Sequence, residues 1–552
     1  MRKIILFGLV TFIIVSAAVL SMTWFSRASI IKKDMEAYLA SYTTKNVEIT
    51  YKEIEVTGFP FSMNVSIVEP HFTGHINKFI EELSIEKILK LENLPEWSED
   101  YILNGAINLK VNAISNKFRL EIHGQFTGKS NIAGKTIAIN NQPNGDTVCE
   151  LQLKNSNWAL ENLWNFYSLR NNSDKFIQDF RSVDCVSPSG TLVNNETKEA
   201  LINYGDSRIF IYRTPEIDTS NIRFYIKFKD IEATKAYDSI YNTYHQALYP
   251  SEEAILPSVY GKQNVEMDIA YNGTENWKNP DAKNTPLNIS VNKFVISNNA
   301  YNTNSNLILT NSVKDNVRNV ALSYKTEITA TELLRVLIHS QLRTMTNSIL
   351  TNVIPAEPGT KEKLSSLSKE NIDNLLYSII PDFVSLDKIT TAFDGDYNGN
   401  ENFTTFQANL KSFEISATPY GLTSTGSFKQ DIAGQLPYGN LSIECINCLN
   451  MIDDVVSYLE RVKAGLAVFS PNSLANASIS PDYVRSFKSF LLALIPAGAS
   501  GDKNNLKFDI LNDGKGVMSI NGKNSTEVME LFSKFNAEAS QNKVIVPIVP
   551  KR

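Results

Sequence analysis

Residues 47–74 read VEITYKEIEVTGFPFSMNVSIVEPHFTG, and their period decides the fold. Val47, Ile49 and Tyr51 alternate with polar residues, the alternation slips by one at Lys52–Glu53, and Ile54 and Val56 resume it. Gly58-Phe59-Pro60 forms a turn, after which Phe61, Met63, Val65 and Ile67 alternate again as far as Glu69–Pro70. A period of two with one slip predicts a β-hairpin carrying a bulge. Strands with one polar and one apolar side predict a predominantly antiparallel sheet.

Upstream, Ile4 to Phe25 holds no charge and no proline and ends in Trp24–Phe25, behind Arg2 and Lys3. As a helix it would span roughly 33 Å, enough for a hydrocarbon core of about 30 Å. The run is longer than the apolar core of a secretory signal, and Ser16-Ala17-Ala18 lies inside it rather than at its end. It reads as an uncleaved single-pass anchor. Arg2 and Lys3 stand before it and Arg27, Lys32 and Lys33 after it, so the charge rule is nearly balanced. The basic start and the use of cysteine favour a cytoplasmic amino end and an exported, periplasmic body at the inner membrane. Ile30–Tyr42 then forms a short helix with Met35, Tyr38, Leu39 and Tyr42 on one face.

Downstream, strands are expected at Asn104–Val111, Lys117–Phe126, Ile132–Asn140, Arg208–Tyr212, Arg223–Phe228, Leu287–Ile296 and Asn306–Thr310, with a helix at Ile231–Tyr249. Asn162–Phe180 is aromatic and reads as a further helix. Thr329-Ala330-Thr331-Glu332 is a capping box for a helix with the stripe Leu334, Leu337, Ile338, Leu342, Met345 and Ile349, and a second helix is expected at about Lys361–Ile380. The last third repeats strands followed by a helix: Phe413–Ala417 and Leu441–Cys445, a helix carrying Leu449–Leu459, a helix started by Ser480-Pro481, a hairpin over Leu506–Ile520, and a closing helix capped at Asn524–Glu527. The expected class is α+β: an N-terminal transmembrane helix, then a β-rich body of curved antiparallel sheets packed with amphipathic helices. A polar loop at Asn272–Thr285 divides that body. The expected regions are 1–29 (stub and anchor), 30–275 (β-rich), 276–540 (α+β) and 541–552 (tail).

The stretch 47–74, placed behind one span and a short helix, resembles the opening of the bacterial domain-of-unknown-function family 2125, with Gly58, Phe59, Pro60 and Phe61 as the matching core. A second likeness is Tyr420–Leu449, YGLTSTGSFKQDIAGQLPYGNLSIECINCL. More distantly, the architecture is similar to AsmA-like envelope proteins. The resemblance implies a single-span protein with a periplasmic body associated with envelope lipid and protein homeostasis. It brings no catalytic residues.

With 552 residues, a net charge of -6 and a pI near 5.6, the chain is not a generic nucleic-acid binder. Cys445-Ile446-Asn447-Cys448 sits at a strand-to-helix junction. It reads first as a structural disulfide, with redox activity or reduced or metal-bound thiols as alternatives. Cys149 and Cys185 are the natural second pair. Asp394–Gly399 matches half of a calcium loop, but Thr405 stands where the bidentate glutamate belongs, so a hairpin turn is expected. His71 and His75 read as solvated strand positions. No G-x-S-x-G, P-loop or G-x-G-x-x-G occurs, so neither a catalytic residue nor a cofactor nor a resident metal is expected. Three functions fit: a non-catalytic envelope protein that holds lipid chains or binds envelope proteins, a scaffold whose sheet faces are fully covered, or a thiol–disulfide oxidoreductase using Cys445 and Cys448. An open apolar face on a curved sheet is what separates the first from the second.

Overall fold

The structure, a computed structural model, describes residues 2–43, 46–58, 62–75, 78, 96–112, 117–132, 134–153, 180–215, 220–248, 255–273, 287–314, 316–340, 342, 376–378, 380–400, 402, 404–433, 435–467, 480–495 and 504–541. It is β-rich, with long antiparallel ladders and several helices. Two compact units divide it: Met1–Pro250 with Leu256–Asp268, and Ser251–Ile255 with Ile269–Arg552.

The first unit holds β1 (Val47–Thr50), β2 (Glu53–Thr57), β3 (Ser62–Val68), β4 (His71–His75), β5 (Trp97–Asn112), β6 (Lys117–Ile132), β7 (Lys135–Pro143), β8 (Thr147–Leu153), β9 (Phe180–Ser187), β10 (Gly190–Asn194), β11 (Ala200–Tyr204), β12 (Ser207–Pro215) and β13 (Ser220–Ala233). β2 and β3 form the hairpin expected from the sequence. The slip at Lys52 is a full break rather than a bulge, because β1 ends before it and pairs with β4 while β2 starts after it and pairs with β3.

The same break recurs across the sheet. One half of β5 pairs with β3 and the other with β4. β6 divides likewise between β8 and β7, and β13 between β12 and β11. In register, 51–52, 69–70, 103–105, 123–125, 144–146, 188–189, 205–206 and 229–231 lie on one line. The sheet is therefore an up-and-down meander of eight strand lengths folded along a single crease. Backbone hydrogen bonds stitch the crease: Glu69 N to Gly105 O at 2.9 Å, Leu103 N to Pro70 O at 3.0 Å and Gly205 N to Lys229 O at 2.8 Å. Positive φ at Glu69, Gly124 and Asp230 marks where the chain bends.

α1 (Arg2–Tyr42) is one unbroken helix where the sequence suggests a span followed by a separate short helix. Ile31 (1% exposed) and Met35 pack with Ile54, Met63, Val65, Val111, Phe118 and Leu153, flanked by Tyr38 and Leu39. The spacing of 31, 35, 38 and 39 puts them on one helical face. Val19, Met22 and Phe25 are exposed apolar side chains. Among the described residues, no helix is long and apolar enough to cross a membrane. The side chains of 1–15, 17 and 20, most of the expected span, lie outside the described ones. α2 (Lys235–Leu248) follows β13.

The second unit takes in the end of β14 (Gln263–Gly273) and continues through β15 (Leu287–Ser297), β16 (Tyr301–Lys314), β17 (Val317–Ala330), β18 (Ile389–Asn400), β19 (Phe406–Ala417), β20 (Tyr420–Gln430), β21 (Tyr438–Ile446), β22 (Leu506–Asn512), β23 (Met518–Ile520) and β24 (Lys523–Asn524). From β15 onward each strand pairs antiparallel with the next. The helices are α3 (Cys448–Ala467), α4 (Pro481–Ala493), α5 (Ser525–Gln541) and helical residues 332–340. Two caps hold as expected. Ser480 Oγ accepts from Tyr483 N at 3.1 Å. Asn524 Oδ1 accepts from Glu527 N at 3.0 Å, while the Glu527 carboxylate takes Asn524 N at 2.7 Å. Two expectations are corrected. Residues 394–399 lie inside β18 and not in a turn, with Asp396 tied to Lys411 at 3.0 Å. Thr329 and Ala330 end β17, so the helix at 332 starts two residues later than the capping box implied.

Candidate functional site

Alternation, once in register, sorts the second unit's sheet into two chemically opposite faces. On one side Leu309 pairs with Leu322, Leu322 with Gly395, Gly395 with Leu410, Leu410 with Gly426, Gly426 with Leu441 and Leu441 with Ile510. The next row on the same face is Leu307, Tyr324, Phe393, Phe413, Ser424, Ile443 and Phe508. Tyr324 and Phe393 stack at 6.3 Å. One extra residue in β19, between Leu410 and Phe413, forms a bulge against both β18 and β20 and keeps the two rows in phase while bending the strand. The reverse face carries Lys325, Glu327, Asp394, Asp396, Lys411 and Glu414, laced by ion pairs.

Only parts of the apolar face are closed. At the β20–β22 side Cys445, Cys448 and Leu506 are buried against Leu422, Leu449, Met451, Leu491, Ile495 and Phe508. α3 is anchored there by Tyr420 Oη, which donates to Asp454. Burial, reinforced by that bond, pushes the Tyr420 phenol up to about 12. Along β16–β19 Leu307, Leu309, Leu322, Tyr324, Phe393, Leu410 and Phe413 are each only half-buried, and Ile415 is 47% exposed. An apolar strip is thus left half-covered in the middle of an otherwise folded unit.

The first unit shows the same division. Its apolar rows cross from Met63, Val111, Phe118 and Leu151 to Val183, Ile211 and Phe224. α1 covers the β2–β8 portion, and Ile209 and Phe224 beyond it are exposed. The opposite face is a charged lattice in which Glu121, 7% exposed at its side chain, takes Lys110 at 2.6 Å, Arg119 at 2.7 Å and His123 at 2.9 Å. Those donors, Lys110 foremost, hold its carboxyl at about 2 against the opposing effect of burial. A polar cleft of about 350 Å³ in this unit is lined by Glu48, Thr73, His75, Glu99 and Asp100 among others. His71 Nε2 lies 2.6 Å from Asp100.

The sequence-predicted positions fall as follows. Cys149 and Cys185 face each other directly across β8 and β9 and are disulfide-bonded. Cys445 and Cys448, expected first as a disulfide, are free thiols, 6% and 9% exposed. Cys445 ends the apolar row of β21 and Cys448 is the first residue of α3, with Asn447 at φ 57 making the corner between them. The Cys445 thiol donates to Cys448, which raises the first and lowers the second. Gly58 turns with φ 102 and donates no side chain; Phe59, Pro60 and Phe61 lie outside the described residues, as do 154–179, 343–375 and the other parts of the expected helices there. Among the described residues no group of three or more His, Cys, Asp or Glu side chains is placed to hold a metal ion.

The sequence reading missed β17 entirely, and with it Arg318. The signal was there: Arg318 is in phase with Val320, Leu322 and Tyr324, so the strand that carries the apolar strip also carries a guanidinium on the same side. No protein-family model, curated protein or solved structure matches the chain.

Proposed function

We propose that this chain is a membrane-tethered envelope protein that holds lipid acyl chains on an amphipathic β-sheet and has no catalytic centre of its own. The observation that carries the reading is the half-covered apolar strip of the second unit, Leu307–Leu309 through Tyr324, Phe393 and Phe413 to Ile415. Contiguous exposed apolar surface is costly in water and marks a binding face. The tether is the uncharged run Ile4–Phe25, with the amino end cytoplasmic and the body periplasmic. Exposed Val19, Met22 and Phe25, on the part of α1 that precedes the docked Ile31 and Met35, support it. The resemblance of residues 47–74 and 420–449 to domain-of-unknown-function family 2125, and the more distant similarity to AsmA-like envelope proteins, support the same reading.

The test is lipid extraction from the full-length protein purified in a neutral detergent, followed by mass spectrometry. Stoichiometric lipid in the wild type and its loss in Phe393→Asp, with secondary structure unchanged by circular dichroism, is the expected result. A lipid-free wild type would sink the reading. Alkaline carbonate extraction and protease treatment of spheroplasts, with intact cells as the control, test the tether and its orientation.

A second reading has one observation in its favour: Cys448, at the first position of α3, has a lowered thiol beside a free Cys445. Burial of both sulfurs argues against attack on a protein disulfide. Reduction of a disulfide substrate by the wild type, lost in Cys448→Ser, would favour that reading over the first.

A further inference from the structure

The apolar face of the second unit carries polar side chains at one end, by the β16–β17 and β18–β19 turns. β17 places Arg318 there, in phase with Val320 and Leu322; β16 places Asn311, in phase with Leu309; β18 places Tyr397, in phase with Gly395. Val320 pairs with Asn311 on one side and Tyr397 on the other, and Arg318 pairs with Val313 and Gly399. Arg318 is therefore one diagonal step from both polar neighbours, within reach of a long side chain. Its positive charge opposes the rise that burial causes in the Tyr397 phenol, which places the two groups close together.

Among the described residues Arg318 has no carboxylate partner, where several other cations of the unit do. Lys325, Lys388, Lys411 and Lys429 each have a carboxylate within 4.0 Å. Arg318 Nε and Asn311 Oδ1 are shut away from solvent with no hydrogen-bond partner. No carboxylate among the described residues is ion-paired to Arg318. Arg318 is half-buried, so its guanidinium stands at the edge of the strip with one nitrogen enclosed and no carboxylate partner. An anion supplied from outside would pair that charge and satisfy the enclosed donor.

We propose that this rim binds the headgroup of an anionic phospholipid whose acyl chains lie along the apolar strip. The phosphate sits on Arg318, whose fork matches two of its oxygens, and a headgroup hydroxyl donates to Asn311 Oδ1. The proposal rests on the lipid-holding reading above and adds to it the headgroup charge and the direction in which the lipid lies. Dimensions agree: Arg318 to Tyr324 along β17 is roughly 20 Å, and the chains of one leaflet span about 15 Å, half of a hydrocarbon core of about 30 Å. An uncharged glyceride would fill the strip but leave the guanidinium unpaired.

The experiment uses the full-length protein, delipidated in a neutral detergent. It is incubated with phosphatidylglycerol or with phosphatidylcholine of the same chains, and bound lipid is counted after gel filtration. The wild type retains phosphatidylglycerol about tenfold better, Arg318→Gln brings it down to the phosphatidylcholine level, and Arg318→Lys restores part of the difference. Equal retention of the two lipids by the wild type overturns the headgroup assignment while leaving the lipid reading in place, and this comparison needs no variant to fold. Undiminished phosphatidylglycerol preference in a folded Arg318→Gln overturns it as well. Retention of neither lipid overturns the lipid reading itself.

Discussion

Gly105 on β5 and Gly124 on β6 stand directly opposite each other at the crease of the first unit's sheet. A Cβ at Gly105 would come within 2.0 Å of His123 O, and one at Gly124 within 2.2 Å of Asn104 O. Only hydrogen fits at either place, so the two strands can bend together at a point where their backbones are closest. Gly105→Ala and Gly124→Ala should each lower stability by about 2–3 kcal/mol. Gly134, with φ 77 and nothing near its missing Cβ, is the control: alanine there meets only backbone strain, about 1 kcal/mol. Urea midpoints followed by circular dichroism decide it. Equal losses at 124 and 134 would show that the crease needs no close approach.

The Cys149–Cys185 bond joins positions 36 residues apart in sequence. Closing such a loop removes unfolded-state entropy equivalent to about 4 kcal/mol on the chain-entropy account. Replacing both cysteines by serine should shift the urea midpoint accordingly, whereas replacing Cys445 and Cys448 should leave the number of disulfides unchanged. Non-reducing peptide mapping that finds two disulfides in the native protein would overturn the free state of the second pair.

Local signals were legible wherever a few consecutive residues decide the outcome. The β2–β3 hairpin, the Ser480 cap and the reciprocal Asn524–Glu527 box each close within one turn of chain, and all three are present. What escaped depends on partners distant in sequence. β1 reads as the start of the hairpin, yet Ile49 pairs with Phe72 because the crease sends it to β4. Leu410 and Phe413 share a face although they are three apart, since a bulge absorbs the odd residue. A strict period of two therefore loses the strip at β19. Asp394–Gly399 looked like a turn because Asp, Asn and Gly crowd it; in the sheet the glycines fit beside Phe393 and Tyr397, and the aspartates point to Lys411. Arg318 becomes notable only when register shows which face it occupies.

Glu121 ties the outer face of the first unit to the pH. Its carboxyl sits at about 2 rather than its ordinary 4.5, chiefly through the hydrogen bond from Lys110. A carboxyl lowered in the folded state stabilises above its unfolded pKa and loses that contribution as pH falls. The loss should run from about pH 4.5 to about pH 2. It should amount to about 1–2 kcal/mol, because Lys110 and Arg119 face solvent. Glu121→Gln should be less stable at pH 7 and show a flatter decline across that interval. A wild-type acid profile that Glu121→Gln reproduces would remove Glu121 as its source.

Tyr420 and Asp454 give the opposite sign at the other end of the scale. The phenol, buried at the start of β20, donates to a carboxylate on α3, and both effects favour the protonated form. A group whose folded pKa is raised gives its stability in full below the unfolded value, here 10.0, and loses it as pH climbs towards about 12. Stability of the wild type should therefore fall across that interval with a contribution that Tyr420→Phe lacks. At neutral pH Tyr420→Phe should itself cost about 1–2 kcal/mol, since Asp454 loses its donor. Tyrosinate absorbance supplies an independent readout. Tyr51, Tyr204, Tyr237, Tyr397 and Tyr438 are raised as well, so Tyr420→Phe should shrink the late phase near pH 12 by one tyrosine's absorbance. If the late phase is undiminished in the variant, Tyr420 does not contribute to it, and the link between β20 and α3 is not the pH-sensitive contact.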